Sequence, residues 1–295
     1  MRLSLLNRGL RSLVRPVLQV SRSPEHAALA FEIAGPVLFP GPPFVTHLTE
    51  KTGGLRLNWI SCGPVDATKV LLYIHGGAYL CGSGRAYGGF LGRISKLTGL
   101  RICAPDYRLM QDAPFPAAFD DARAAWDALI AKGYHPQDIV LAGDSAGGGL
   151  MLALLAHLTQ TGQTPCAAVA MSPWTDLTLS GDSLSANAEA VLPVSRMAET
   201  VDRYLHDAAR NDPRASPLFA QFAAPPPVLI QVGSGEALRS DAERMAAHLG
   251  DVATLKIWEG VPHVWQMFDG YVPEARAALQ EMADFVQASI VSDKR

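Results

Sequence analysis

The stretch "DIVLAGDSAGGGL", residues 138–150, places Ser145 between Gly143 and Gly147, after one apolar run and before another. It fits G-x-S-x-G, and its surroundings predict a strand, a tight turn and a helix. In that context the serine is a candidate nucleophile on a strained turn, and the glycines leave room where side chains would collide with the adjoining strand and helix. A helix starting just past Ser145 also favours negative charge developing there. The alternative is a plain glycine turn that happens to carry a serine, and the rest of the chain decides between the two.

Working outward, the segments alternate. Strands are expected at 55–60, 69–77, 99–107, 138–145, 167–174, 227–236 and 254–263, and helices at 114–134, 147–162, 240–250 and 273–290. Continuous apolar strands separated by amphipathic helices imply a mostly parallel sheet covered on both faces. Sites in such sheets form at the carboxyl ends of strands. The run "GPVLFPGPPF" (35–44) is expected to break helix and strand alike and to act as a connector. Residues 176–215 hold helices but no strand, an excursion of the size expected of a lid or a pocket wall.

Composition narrows the function classes. Of the 295 residues 48% are apolar and 18% charged, enough apolar surface for a large core. A net charge of −3 gives no basic excess for nucleic acid. Cys62, Cys81, Cys103 and Cys166 lie far apart without a CxxC pair, so they read as small buried hydrophobes in a reducing compartment and not as metal ligands. No apolar stretch reaches the ~18–20 residues of a membrane span. Residues 1–23 hold five arginines and no acid. They could be a transit peptide or an interfacial helix, but Leu6, Leu10, Leu13, Val14, Val17 and Leu18 recur at helical spacing, and the plainer reading is an amphipathic helix packed on the protein.

A serine nucleophile needs a base. Of eight histidines, His263 in "WEGVPHVWQMF" follows the last strand and precedes the final helix. The order serine, acid, histidine along the chain selects it. Between them "PVLIQVGSGEALRSDAERM" offers Glu236, at a strand end, and Asp241, inside the next helix. Glu236 is preferred, with Asp241 read as a first-turn acid facing the helix dipole. "HGGAY" (75–79) follows the strand run "KVLLYI" (69–74) and is a candidate oxyanion loop, with the N–H groups of Gly76, Gly77 and Ala146 as donors and His75 in a structural role.

Taken together, "YIHGGAYLCGS" (73–83), "APDYRL" (104–109), "PFPAAFDDA" (114–122), "GDSAGGGL" (143–150), "SPWTDLT" (172–178), "PPVLIQVGSGEALRSDA" (226–242) and "VPHVWQMF" (261–268) resemble, in order, the hormone-sensitive-lipase family of α/β-hydrolases, the bacterial family IV carboxylesterases. The resemblance implies an α/β-hydrolase fold with a mostly parallel eight-stranded sheet and an α-helical cap. Residues 1–45 and 176–215 would form the cap, and 46–175 with 216–295 the catalytic core. It implies hydrolysis of short-chain acyl esters through Ser145, His263 and Glu236, without metal or cofactor, on a small-molecule ester. A lactone hydrolase or aryl formamidase would use the same groups, and a non-catalytic small-molecule receptor is the remaining alternative. Tyr79, Asp144, Trp174, Leu205 and Phe219 are candidate substrate contacts, whereas Asp106 and Arg108 are expected in a buried polar network, and Pro114 and Pro116 to set the start of a helix, with a cis bond as one way to do so. A homodimer through the last strand and helix and a cytoplasmic location complete the expectation. Two departures stand out: Glu236-Ala237-Leu238 replaces the aspartate-proline-leucine of many members, and 248–258 is shorter than usual.

Overall fold

A computed structural model describes residues 3–16, 24–185 and 189–292. Its centre is one eight-stranded sheet: β1 Val45–Thr52, β2 Leu55–Cys62, β3 Asp66–Ile74, β4 Leu100–Asp106, β5 Ile139–Asp144, β6 Ala167–Met171, β7 Val228–Gly233 and β8 Ala253–Trp258. The strand order is β1-β2-β4-β3-β5-β6-β7-β8. β1 and β2 pair antiparallel, as do β2 and β4, and every other neighbouring pair is parallel.

The central strands β5, β6 and β7 are buried along their whole length, as parallel strands covered on both faces must be. Helices α4 (Ala117–Ala131), α5 (Ser145–Gln160) and α7 (Arg239–Leu249) cover one face, around Trp126, Leu154 and Met245. Helices α3 (Gly88–Thr98) and α8 (Pro273–Ser292) cover the other, around Phe90, Leu91 and Met282. The chain leaves β3 toward β4 on one side and β5 toward β6 on the other. The carboxyl ends of β3 and β5 therefore flank a topological switch point, where parallel sheets open a crevice.

The seven expected strands are present with shifted ends. The eighth, β1, gives little signal because "VTHLTEKT" is polar on a largely exposed edge. The expectation that residues 35–44 exclude helix is corrected at its start. Helix α2, Pro24–Leu38, runs through Pro36, and Gly35 lets it approach Ala86, whose carbonyl a β-carbon at 35 would meet at 2.8 Å. The first helix, α1 (Leu3–Gly9), continues into a π-helical stretch, Leu10–Val14. Leu6 and Leu10 pack with Val261, Trp265 and Val272, as an amphipathic helix should. Leu13 and Val14 are exposed, since the wider π turn departs from the 3.6-residue spacing on which the stripe was drawn. Val17 and Leu18 lie outside the described residues.

Between β6 and β7 the described residues of 176–215 form short turns and helix α6 (Met197–Leu205), without a strand. The Phe115–Pro116 bond is cis. Asp106 accepts hydrogen bonds from the Asn58 amide and the Gly84 N–H, both at 2.8 Å. Arg108 departs from expectation: its side chain is half exposed and forks onto Asp121 of α4 at 2.9 and 2.8 Å, because the β4–α4 loop brings it to the surface of that helix. None of the four cysteines is in a disulfide; Cys62 and Cys103 are buried, Cys81 and Cys166 half-buried. Among the described residues no helix is long and apolar enough to cross a membrane.

Candidate active site

Ser145 stands at the junction of β5 and α5 with φ +52°, in the left-handed region that a non-glycine residue occupies only when its surroundings impose it. The flanking glycines are steric necessities. A β-carbon at Gly143 would lie 2.6 Å from the Gly147 carbonyl oxygen, and one at Gly147 would run into the His75 and Ile74 carbonyls. The Ser145 carbonyl accepts the Trp174 N–H at 2.9 Å, so the segment after β6 braces the turn.

His263 lies in the loop after β8 and approaches from the opposite side. Its Nε2 is 2.9 Å from Ser145 Oγ, and its Nδ1 is 2.6 Å from Glu236 Oε2. A carboxylate can only accept, so Nδ1 carries the proton and the Nε2 lone pair faces the serine. All three side chains are buried. Glu236 owes its place to a tight turn after β7: Oε1 accepts the Gly233 N–H at 2.6 Å and the Ser172 hydroxyl at 2.8 Å, leaving Oε2 for the imidazole. The longer glutamate side chain can fold back on its own turn and still reach His263. Gly233 separates the two loops, since a β-carbon there would sit 2.7 Å from the Val261 carbonyl oxygen. The shortened connection at 248–258 is a single 3₁₀ turn, Gly250–Val252, and it leaves His263 in reach.

Electrostatics follow from burial and charge. Burial works against charge on the His263 ring, but the carboxylates of Glu236, Glu189 and Asp144 outweigh it and raise its pKa above 6.5. Burial pushes the Glu236 carboxyl up, opposed by His263 and the Gly233 N–H. Asp241 is not at the imidazole. Its Oδ2 accepts the N–H groups of Thr175 and Asp176 at 2.8 and 2.9 Å, and burial pushes its pKa up to about 7.

Two expectations about the glycine loop change. Asp144 turns its carboxylate inward. It is buried, and its carboxylate accepts from Tyr73 Oη at 2.8 Å, Tyr87 Oη at 3.1 Å and the Gly76 N–H at 2.9 Å. That last bond occupies the single N–H of Gly76, which was a candidate oxyanion donor. The N–H groups of Gly77 and Ala78 donate to no acceptor among the described residues. Ala146, in the first turn of α5, has one of the N–H groups that a helix leaves without an internal partner. His75 has the expected structural place. It is buried and stacked on Tyr107 at 4.3 Å, its Nδ1 donates to the Gly76 carbonyl at 2.8 Å, and burial lowers its pKa.

Of the remaining candidates, Tyr79, Trp174 and Leu205 are buried in the same core cluster as Ala146. Tyr79 stacks on Tyr204 at 3.8 Å and lies 6.5 Å from Trp174. Phe219 is not brought to them. It is 41% exposed on the turn Pro217–Phe219, beside α5 and α7, where the chain returns toward the start of β7. Sequence reasoning missed Ser172 and Ala78. A lone serine at a strand end gives no signal of its own. Nor does Ala78, since any residue but proline supplies an N–H and an alanine side chain marks no special role.

This arrangement defines an α/β-hydrolase. A family model described as the alpha/beta hydrolase fold matches residues 71–267. An esterase of Acinetobacter venetianus is 35% identical over 277 residues, covering 90% of this chain and 91% of its own. Esterase LipU of Mycobacterium tuberculosis is 32% identical over 292 residues, covering 93% and 98%. The solved structure of an esterase from the bacterial hormone-sensitive lipase family superposes with a TM-score of 0.91 at 33% identity, over 98% of each chain. The chain belongs to the hormone-sensitive-lipase family of α/β-hydrolases.

Proposed function

We propose that the chain hydrolyses short-chain acyl esters through Ser145, His263 and Glu236. That it is a carboxylic ester hydrolase follows from its family and its esterase relatives; the residue roles, the mechanism and the acyl preference are the proposal. The observation that carries it is the continuous run from Ser145 Oγ through His263 to Glu236, at 2.9 and 2.6 Å.

Ser145 Oγ attacks the ester carbonyl while His263 Nε2 takes its proton. Glu236 holds the ring and stabilises its cation. The N–H groups of Gly77, Ala78 and Ala146 receive the oxyanion, each donor of this type contributing about 2.7–4 kcal/mol. His263 returns the proton to the leaving alcohol, and water, activated by the same imidazole, releases the acid from the acyl-enzyme. Residues 1–45 and 176–215 form a cap over a core of 46–175 and 216–295. Stacking of Tyr204, from the excursion, on Tyr79 supports this. The buried aromatic cluster of Tyr79, Trp174 and Tyr204 next to the serine turn supports a short acyl group. The β8 edge, with Ile257 exposed, supports a homodimer paired there, and four cysteines outside any disulfide support a cytoplasmic location.

His263 must be neutral to accept the serine proton. Its raised pKa therefore places the acid limb of kcat/KM above pH 6.5, with activity present above that limb and lost as the pH falls through it. A panel of p-nitrophenyl esters from acetate to palmitate, with a lactone and an aryl formamide, measured across pH, tests both points. Acetate and butyrate are expected to be turned over fastest. A preference for palmitate, the lactone or the formamide, or a limb below pH 6.5, would contradict the proposal.

A further inference from the structure

A second carboxylate is buried among the loops that carry the triad. Glu189, in the excursion between β6 and β7, is 1% exposed. Its Oε1 accepts the N–H groups of Val191 and Leu192 at 2.6 and 3.0 Å, and its Oε2 accepts the N–H of Ala237 at 3.0 Å. Ala237 follows Glu236 directly. From the other side, Arg15 donates to the Glu189 carbonyl oxygen at 2.9 Å. The N-terminal segment, the excursion and the acid loop thus meet at one residue.

Burying an anion near another carboxylate is costly through desolvation and like-charge repulsion. Three N–H groups converging on its two oxygens offset part of that cost. The arrangement also gives meaning to the alanine at 237: a proline there, as in the aspartate-proline-leucine version, has no N–H for Glu189 to accept.

We propose that Glu189 is a positioning residue for ester hydrolysis, holding the Glu236 turn through the Ala237 N–H and adding its charge to that of Glu236 in stabilising the His263 cation. The inference rests on the triad reading above. Among the charged groups acting on His263 are carboxylates from three elements: Glu236 after β7, Asp144 at the end of β5 and Glu189 from the excursion. Arg15, a cation of the N-terminal segment, bonds the Glu189 backbone carbonyl.

Glu189→Gln keeps the size and removes the charge. With p-nitrophenyl acetate, kcat is expected to fall roughly tenfold or more with KM changed less than about twofold. The acid limb of kcat/KM is expected to move to lower pH by about half a unit or more, since loss of a nearby anion lowers an imidazole pKa. A folded variant with wild-type kcat and an unmoved limb would overturn the inference. If the variant does not fold, amide exchange of the wild-type protein decides. The Ala237 N–H should be protected like those of Leu229 and Ile230 in β7, and exchange at the rate of an open loop would refute the bond. A Ser145→Ala control that keeps wild-type turnover would instead sink the triad reading itself, so the two failures are distinct.

Discussion

Ser145→Ala is expected to lower kcat on p-nitrophenyl acetate by roughly 10⁵- to 10⁶-fold while leaving the circular dichroism spectrum and melting temperature close to wild type. The magnitude follows from the loss of the covalent route, since the oxyanion donors alone retain only a small part of the acceleration. The fold should survive because the change removes one oxygen from a position whose backbone is held by other groups. The Ser145 carbonyl still accepts the Trp174 N–H, and Gly143 and Gly147 still leave the space the turn requires. Relief of the left-handed strain is not expected, as alanine meets the same steric conflict at φ +52°. Turnover within tenfold of wild type would mean that another group performs the attack.

Glu236→Gln and Asp241→Asn separate two buried carboxylates five positions apart. Glu236→Gln should cost roughly 10³- to 10⁴-fold in kcat, because an amide in place of Oε2 can present its NH₂ to Nδ1 and favour the wrong imidazole tautomer. Asp241→Asn should cost less than about tenfold in kcat. Its expected effect is on stability, about 1–3 kcal/mol, because the Asp241 carboxylate accepts the Thr175 and Asp176 N–H groups that fix the start of the excursion. Paired measurements of kcat and urea midpoint on both variants give the ranking. The reverse order, with Asp241→Asn the more damaging to kcat, would move the catalytic acid.

The sequence made the central residues readable for identifiable reasons. Ser145 is announced by glycines whose absent β-carbons are needed at fixed positions, and His263 and Glu236 by chain order and by lying at strand ends. What stayed hidden depends on partners distant in the chain. Asp144 looks like a neighbour of the candidate nucleophile, yet Tyr73, Tyr87 and Gly76 turn its carboxylate inward, and only the pairing of β3 with β5 and the turn leading into α3 bring those donors together. The same bond occupies the Gly76 N–H, which is why the proposed mechanism takes Ala78 in its place as an oxyanion donor. β1 escaped because an edge strand with one covered face needs no apolar run, and Leu13 and Val14 turned outward because a π turn breaks the helical period. Glu189 carries no motif at all. Its significance comes from accepting an N–H 48 residues further along the chain.

The claim on which the account stands is that Ser145 is the activated group. The most direct measurement is intact-protein and peptide mass spectrometry after treatment with a fluorophosphonate, alongside the residual esterase activity. The account predicts one adduct per chain, on the peptide containing Ser145, formed in step with loss of activity and absent in His263→Ala. An adduct on a different residue, or full activity in protein quantitatively labelled at Ser145, would contradict it.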